Sequence, residues 1–390
     1  MTASYKSTKI ACFAGFVVQA IINNFLPLLF IIFNTRYNLN YEQLGRLLFI
    51  NFFVQLIVDA LTPVVVKRIG YRGAAIACHG LAALGLCLLG ILPLLFQNNI
   101  YTCIIIAIII YATGSGIIEV CISPIVEMLP GDKKGADMAF SHSFYCWGQA
   151  FTVLVSTLLI FLLGQDKWQF VPIIWAIIPF INMLNFMRVP IVEQADEPAG
   201  KTAKTLFKNR DFWIFALIMI CAGASEITMA EWASIFTQQA LGVSKTVGDL
   251  LGPCAFAVCM GSGRVIFGLL DGKFNPKKAL IINNIFCVVC YIGVAVCNIE
   301  WLSLIACALC GFTVSLSWPG TYSMAARHFP TGGTLMFSLL ALCGDFGCSI
   351  GPWTMGIVAN HTTLETGFFV CAIFPAVMVL TAPFLRKEKC

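Results

Sequence analysis

The sequence predicts an all-α membrane protein of twelve transmembrane helices arranged as two six-helix halves, and three observations predict it. Of the 390 residues 59% are apolar and 11% charged, against about a quarter charged in an average soluble domain, so water is not the main solvent for this surface. Twelve mostly apolar stretches, separated by short polar breaks, are each long enough to cross a hydrocarbon core, which takes about 20 helical residues for about 30 Å. The basic residues fall on alternate connections, as the orientation of a polytopic chain requires.

The stretches lie at 10–33, 44–66, 74–96, 101–128, 138–163, 169–190, 212–240, 247–271, 277–297, 301–326, 332–359 and 364–385. The first follows MTASYKSTKI. It is too long for a signal-peptide core and has no small-residue cleavage pattern, so it reads as a retained helix. With the N-terminus inside, Lys67, Arg68 and Arg72, Lys133 and Lys134, Lys201, Lys204, Lys208 and Arg210, and Lys273, Lys277 and Lys278 all fall on the cytoplasmic side. Only Arg36, Arg46, Lys167 and Lys245 fall outside, and Arg264 lies within a helix. The net charge of +5 therefore reports orientation, not nucleic-acid binding. A multi-pass, monomeric protein of the cell membrane is expected, with both termini cytoplasmic.

The long polar stretch EQADEPAGKTAKTLFKNR divides six spans from six, giving halves at 1–192 and 211–390 with a cytoplasmic linker at 193–210. Internal similarity supports a duplication. R-I-G-Y-R-G-A after the second span parallels K-F-N-P-K-K-A after the eighth. The chain has 18 cysteines, and C-x-x-C occurs at Cys287/Cys290 and Cys307/Cys310. Both pairs lie in apolar helices without a second pair or a histidine at ligand spacing, so they read as small packing residues, and no metal is expected.

Charged groups in hydrocarbon are costly and tend to face a bundle interior or a water-filled cavity, so the polar residues deep in the spans carry the information. Helix one has I-I-N-N-F-L-P, with Asn23 and Asn24. Helix two carries a stripe of Asn51, Gln55, Asp59 and Thr62, of which Asp59, near the cytoplasmic end, is expected at a gate. Helix four reads G-S-G-I-I-E-V-C-I-S-P-I-V-E; Glu119, Ser123 and Glu127 recur every four residues and share one face. Pro124 removes a backbone hydrogen bond beside it. Helix five carries His142, Tyr145, Gln149, Thr152 and Ser156 at helical spacing.

In the second half, helix seven reads G-A-S-E-I-T-M-A-E-W-A-S, with Glu226 near mid-membrane and Glu231 and Trp232 further out. Helix ten supplies Trp318, Pro319 and Tyr322 in S-L-S-W-P-G-T-Y, and helix eleven places Asp345 on a face with Ser338 and Ser349. Glu119, Glu226 and Asp345 are the candidate proton carriers: an open cavity rehydrates a carboxyl that hydrocarbon strips of water, so protonation can follow the transport state. Asn23, Asn24, Ser123, His142, Tyr145, Gln149, Glu231, Trp232, Trp318 and Tyr322 are the candidate solute contacts.

These motifs resemble the major facilitator superfamily. Its signature between helices two and three, G-x-x-x-D-R-x-G-R-R, appears as P-V-V-V-K-R-I-G-Y-R, keeping Arg68, Gly70 and Arg72, while Pro63 and Lys67 replace Gly and Asp. The second half repeats it as G-R-V-I-F-G-L-L-D-G-K-F-N-P-K-K, with Asp271 one place early. The resemblance implies the major facilitator fold and an Arg264 that braces neighbouring helices; Arg68, Arg72 and Arg264 are, with Asp59, the candidate gating residues. Helices four and five resemble the sugar/proton symporters of the fucose-permease branch: Gly114, Gly116, Glu119 and Pro124 are in register, Ser123 stands for Asn, and Phe144 and Gly148 match in helix five. This implies a proton-linked Glu119 and solute contacts from His142 and Tyr145. Asn23 stands where that branch has an Asp in helix one; an Asn does not titrate, so coupling relies on Glu119 or on an acid elsewhere.

The expected function is proton-coupled uptake of a sugar or similar small polar solute, without a cofactor. The alternative is proton-coupled efflux of a drug or organic ion, since the same carboxylates attract a cation. An enzyme is not expected: the chain has no phosphate-binding loop, metal-ligand cluster or nucleophile constellation.

Overall fold

The computed structural model describes residues 5–129, 134–191, 206–269, 275–297, 299–329 and 333–386. Most of the expected linker, together with Lys133, Asp271 and Lys273 and the side chains of Pro63, Glu127 and His142, lies outside the described residues.

Every element among the described residues is helical. The twelve helices are α1 (Lys6–Tyr37), α2 (Tyr41–Thr62), α3 (Val64–Leu95), α4 (Ile100–Met128), α5 (Lys134–Leu163), α6 (Phe170–Arg188), α7 (Arg210–Gln239), α8 (Lys245–Phe267), α9 (Pro276–Val296), α10 (Glu300–His328), α11 (Gly333–His361) and α12 (Leu364–Phe384). All but α11 are long and apolar enough by composition alone to cross a membrane, and α11 is a continuous helix of 29 residues. Side chains turned outward along α5, such as Leu154, Leu158, Phe161 and Leu162, are large and apolar. Water would penalise that surface, and hydrocarbon does not.

Several helices are interrupted where the sequence demands it. Pro27 sits in a 3₁₀ turn, Leu26–Leu29, within α1. Within α3 the helical path breaks at Gly70, with φ +71° and ψ 168°, a region essentially restricted to glycine. Helix α8 contains a π-turn, Leu250–Cys254, around Pro253.

The chain forms two compact units, Met1–Leu39 with Ile50–Asp196, and Asn40–Phe49 with Glu197–Cys390. In the first, α1 packs on α4, α5 and α6. Glycines set the closest approaches: a Cβ on Gly85 would fall 2.5 Å from Tyr111 N on α4, and one on Gly114 2.6 Å from Cys78 O on α3. Small residues at such crossings are the usual device of membrane bundles. Asn182 on α6 ties three helices together, donating to Ala11 O at 2.9 Å and to His79 Nε2 at 2.8 Å, while His79 Nδ1 meets Ala75 O at 2.8 Å. His79 is thereby satisfied as a packing residue.

In the second unit, α7 packs on α11 much as α1 packs on α5, and α9 and α10 pair as α3 and α4 do. A Cβ on Gly347 of α11 would fall 1.9 Å from Ile220 O of α7, and one on Gly311 of α10 2.1 Å from Phe256 O of α8. Phe212, Phe215, Met219, Leu280, Met324, Leu340 and Met378 form the apolar core at one end. The first turns of α2 belong to this unit: Tyr41 Oη donates to Gln239 Oε1, and its ring stands edge-on to Trp232 at 6.2 Å.

Candidate functional site

In the first unit the helix-one kink, the helix-two stripe and the glycine-rich centre of α4 bring their polar residues together. Gln55 Nε2 donates to Asn23 Oδ1 at 2.9 Å, and Ser115 Oγ donates to Gln55 Oε1 at 2.9 Å. Asn23 and Asn24 each direct Nδ2 at Tyr145 Oη, at 3.5 Å, contacts long enough to be easily replaced. Beside this network Gln19 Nε2 donates to Glu119 Oε2 at 2.8 Å. The carboxylates of Glu119 and Asp59 approach within 4.8 Å. Gly116 makes this approach fit, because a Cβ there would lie 2.8 Å from Asp59 Oδ1.

The second unit has a different electrostatic character. Arg264 Nη2 of α8 reaches both oxygens of Glu226 on α7, at 3.1 and 3.2 Å, with side chains 27% and 10% exposed. Tyr291 Oη donates to Ser225 O at 2.6 Å in the preceding turn. On α10, Trp318 and Tyr322 pair edge to face at 6.2 Å. The Trp318 ring covers Gly344, where a Cβ would lie 2.2 Å from it, next to the buried Asp345.

Residues 11–332 match the Major Facilitator Superfamily. The chain belongs to the major facilitator superfamily. Among relatives, this transporter is 22% identical over 373 residues to the fosmidomycin resistance protein of Escherichia coli (strain K12), covering 94% of this chain and 88% of that one. Among solved structures it superimposes on a D-xylose-proton symporter with a TM-score of 0.81 at 16% identity, over 99% of this chain and 98% of the other. It also superimposes on the E. coli fucose:proton symporter with a TM-score of 0.69 at 18% identity, over 98% and 100%. These likenesses show a shared fold.

Against that fold, the residues singled out in the sequence divide into groups. Asn23, Asn24, Tyr145 and Glu119 come together in the first unit, and Asp59, expected at a gate, stands with Glu119. Ser123 is half-buried and Gln149 buried, while the side chain of His142 lies outside the described residues. The lower part of the helix-five stripe is internal: Thr152 Oγ1 donates to Gly148 O at 2.7 Å, and Ser156 Oγ accepts from Trp175 Nε1 at 2.9 Å. Arg72 holds the end of α6, donating to the carbonyls of Phe186, Met187 and Val189 at 2.9, 3.2 and 2.9 Å, where a cation meets the negative end of the helix dipole. Arg68 is exposed. Trp232 is fully enclosed, and its indole N–H donates to Pro352 O at 3.0 Å; in this conformation it packs the helices.

Sequence reasoning missed Gln19 as a site residue, although it lies four residues before Asn23 on the same face of α1 and that spacing could have found it. Ser115 was passed over as a spacer between Gly114 and Gly116, yet it anchors Gln55.

Proposed function

We propose that this transporter couples uptake of a small polar solute, of the sugar or polyol class, to protons by alternating access. The observation that carries the reading is the buried, neutral hydrogen-bonding network of Asn23, Asn24, Gln55, Ser115 and Tyr145 beside Glu119. Amides and hydroxyls both donate and accept, which suits a solute covered in hydroxyls and offers nothing special to a charge. The loose contacts to Tyr145 are the ones a solute hydroxyl would replace.

Glu119 is suited to carrying the proton because its hydrogen-bond partner is neutral. The Gln19 amide donates to a carboxylate, and after rotating by 180° it accepts from a protonated acid, so it serves both states. Glu226 has a guanidinium against it; Asp345 remains a candidate from its buried position on α11. The D-xylose and fucose symporters that share the fold are named for proton coupling, which supports the reading. The transporter acts as a monomer in the cell membrane with both termini cytoplasmic, as its basic loops favour.

The test is Glu119→Gln reconstituted in proteoliposomes. Solute accumulation driven by a pH gradient is lost, while exchange of labelled for unlabelled solute at equal pH continues; unchanged accumulation would remove Glu119 from the coupling. A second reading, efflux of a drug or organic ion, is favoured by the relative named for fosmidomycin resistance. Transport into inside-out vesicles separates export from uptake.

A further inference from the structure

Helix α7 carries two carboxylates five residues apart, and the structure treats them in opposite ways. Glu226 lies against Arg264. Glu231 is 1% exposed, and its Oε2 has no hydrogen-bond partner. Its neighbours on the helix do not compensate. Thr228, one turn earlier, is fully buried and its Oγ1 also lacks a partner, and the Trp232 indole is directed at Pro352 O.

Among the described residues, the following titratable groups on the elements packed around α7 have partners of their own. Tyr291 donates to Ser225 O, Arg264 holds Glu226, Lys245 and Ser234 hold Asp249, His328 meets Asp211, and Tyr41 donates to Gln239. Asp345 on α11 brings a like charge, not a counter-charge. A carboxylate deprived of water and of a cation is strongly disfavoured as the anion, whereas the neutral acid buries at far smaller cost.

We propose that Glu231 is a proton-binding site of the second unit, distinct from Glu119: it holds a proton while enclosed and loses it to water when the transport cycle hydrates it. The inference rests on the proton-coupled reading above and adds a second acid to it. The step is a simple transfer, from the Glu231 carboxyl oxygen to a water molecule, with the proton regained from water on the other side of the membrane. Glu226, by contrast, has Arg264 as its ion-pair partner.

Infrared difference spectroscopy of the purified full-length protein, with Glu231→Gln and Glu226→Gln beside the wild type, tests the proposal. The wild type is expected to show a protonated-carboxyl carbonyl band with contributions from Glu119 and Glu231; Glu226→Gln leaves it unchanged, and Glu231→Gln loses one component while the Glu119 component stays. In proteoliposomes Glu231→Gln is expected to lose pH-gradient-driven accumulation while equal-pH exchange continues. A band left undiminished in Glu231→Gln overturns the proposal, and so does unchanged accumulation in that variant. Should Glu231→Gln not fold, Glu231→Asp keeps the acid, and the band must shift. A wild type that accumulates nothing under a pH gradient defeats the coupling reading of the preceding subsection. The infrared band still decides in that case whether Glu231 holds a proton.

Discussion

At the scale of single residues, the two units place acids in contrasting surroundings, and mutation should separate them. Removing Arg264 alone, as Arg264→Leu, leaves Glu226 nearly enclosed without its cationic partner, which should cost about 3 kcal/mol of stability. The double variant Arg264→Leu/Glu226→Gln should recover most of that loss, and thermal unfolding in detergent reads both. A double variant no better than the single would mean that the pair does not act as a unit. Part of this site was legible beforehand. Glu119, Asn23 and Tyr145 stood out because intramembrane polar residues are costly and rarely idle. The bracing role expected for Arg264 came with its Gly-Arg context, but its partner did not, since Glu226 lies 38 residues away and only tertiary packing brings the two together. The neighbour of Asp59 was hidden for a similar reason. Position along α2 suggested a gate, while the missing side chain of Gly116 let its carboxylate reach the neighbourhood of Glu119.

At the scale of helices, glycine is what allows α7 and α11 to touch backbone to backbone. Gly347→Leu should abolish folded protein or destabilise it by at least about 2 kcal/mol, because Ile220 O stands 1.9 Å from its would-be Cβ. Gly293→Ala, which meets only Ala306 Cβ at 3.4 Å, should leave the melting temperature unchanged, and comparing the two melting curves checks the claim. Gly70→Ala should cost about 1–3 kcal/mol for its left-handed backbone. Helix existence was readable from apolar length, and the expected segments correspond to the twelve helices within a few residues, except that α3 begins at Val64, ten residues before the expected start, ahead of its break at Gly70. Which glycines mark contacts and which are incidental was not readable, because one sequence does not show what lies opposite each.

For the molecule as a whole, the balance of charge across its loops predicts orientation: a green fluorescent protein fused after Cys390 should fold and fluoresce in cells, as it does only on the cytoplasmic side. A dark, fully translocated fusion would invert the topology. The duplication seen in the basic loops is matched in three dimensions by equivalent helix pairs, α1 with α5 and α7 with α11. The two copies are nonetheless out of phase with one another. The π-turn at Leu250–Cys254 inserts one residue into the ladder of α8, whereas α2, its counterpart, runs as regular helix. One residue is about 100° of rotation, so the rest of α8 faces a different azimuth from the one that regular winding would give it. Excising Leu251 should therefore restore regular winding and swing the guanidinium of Arg264 off Glu226; the π-turn sets the azimuth at which that ion pair closes.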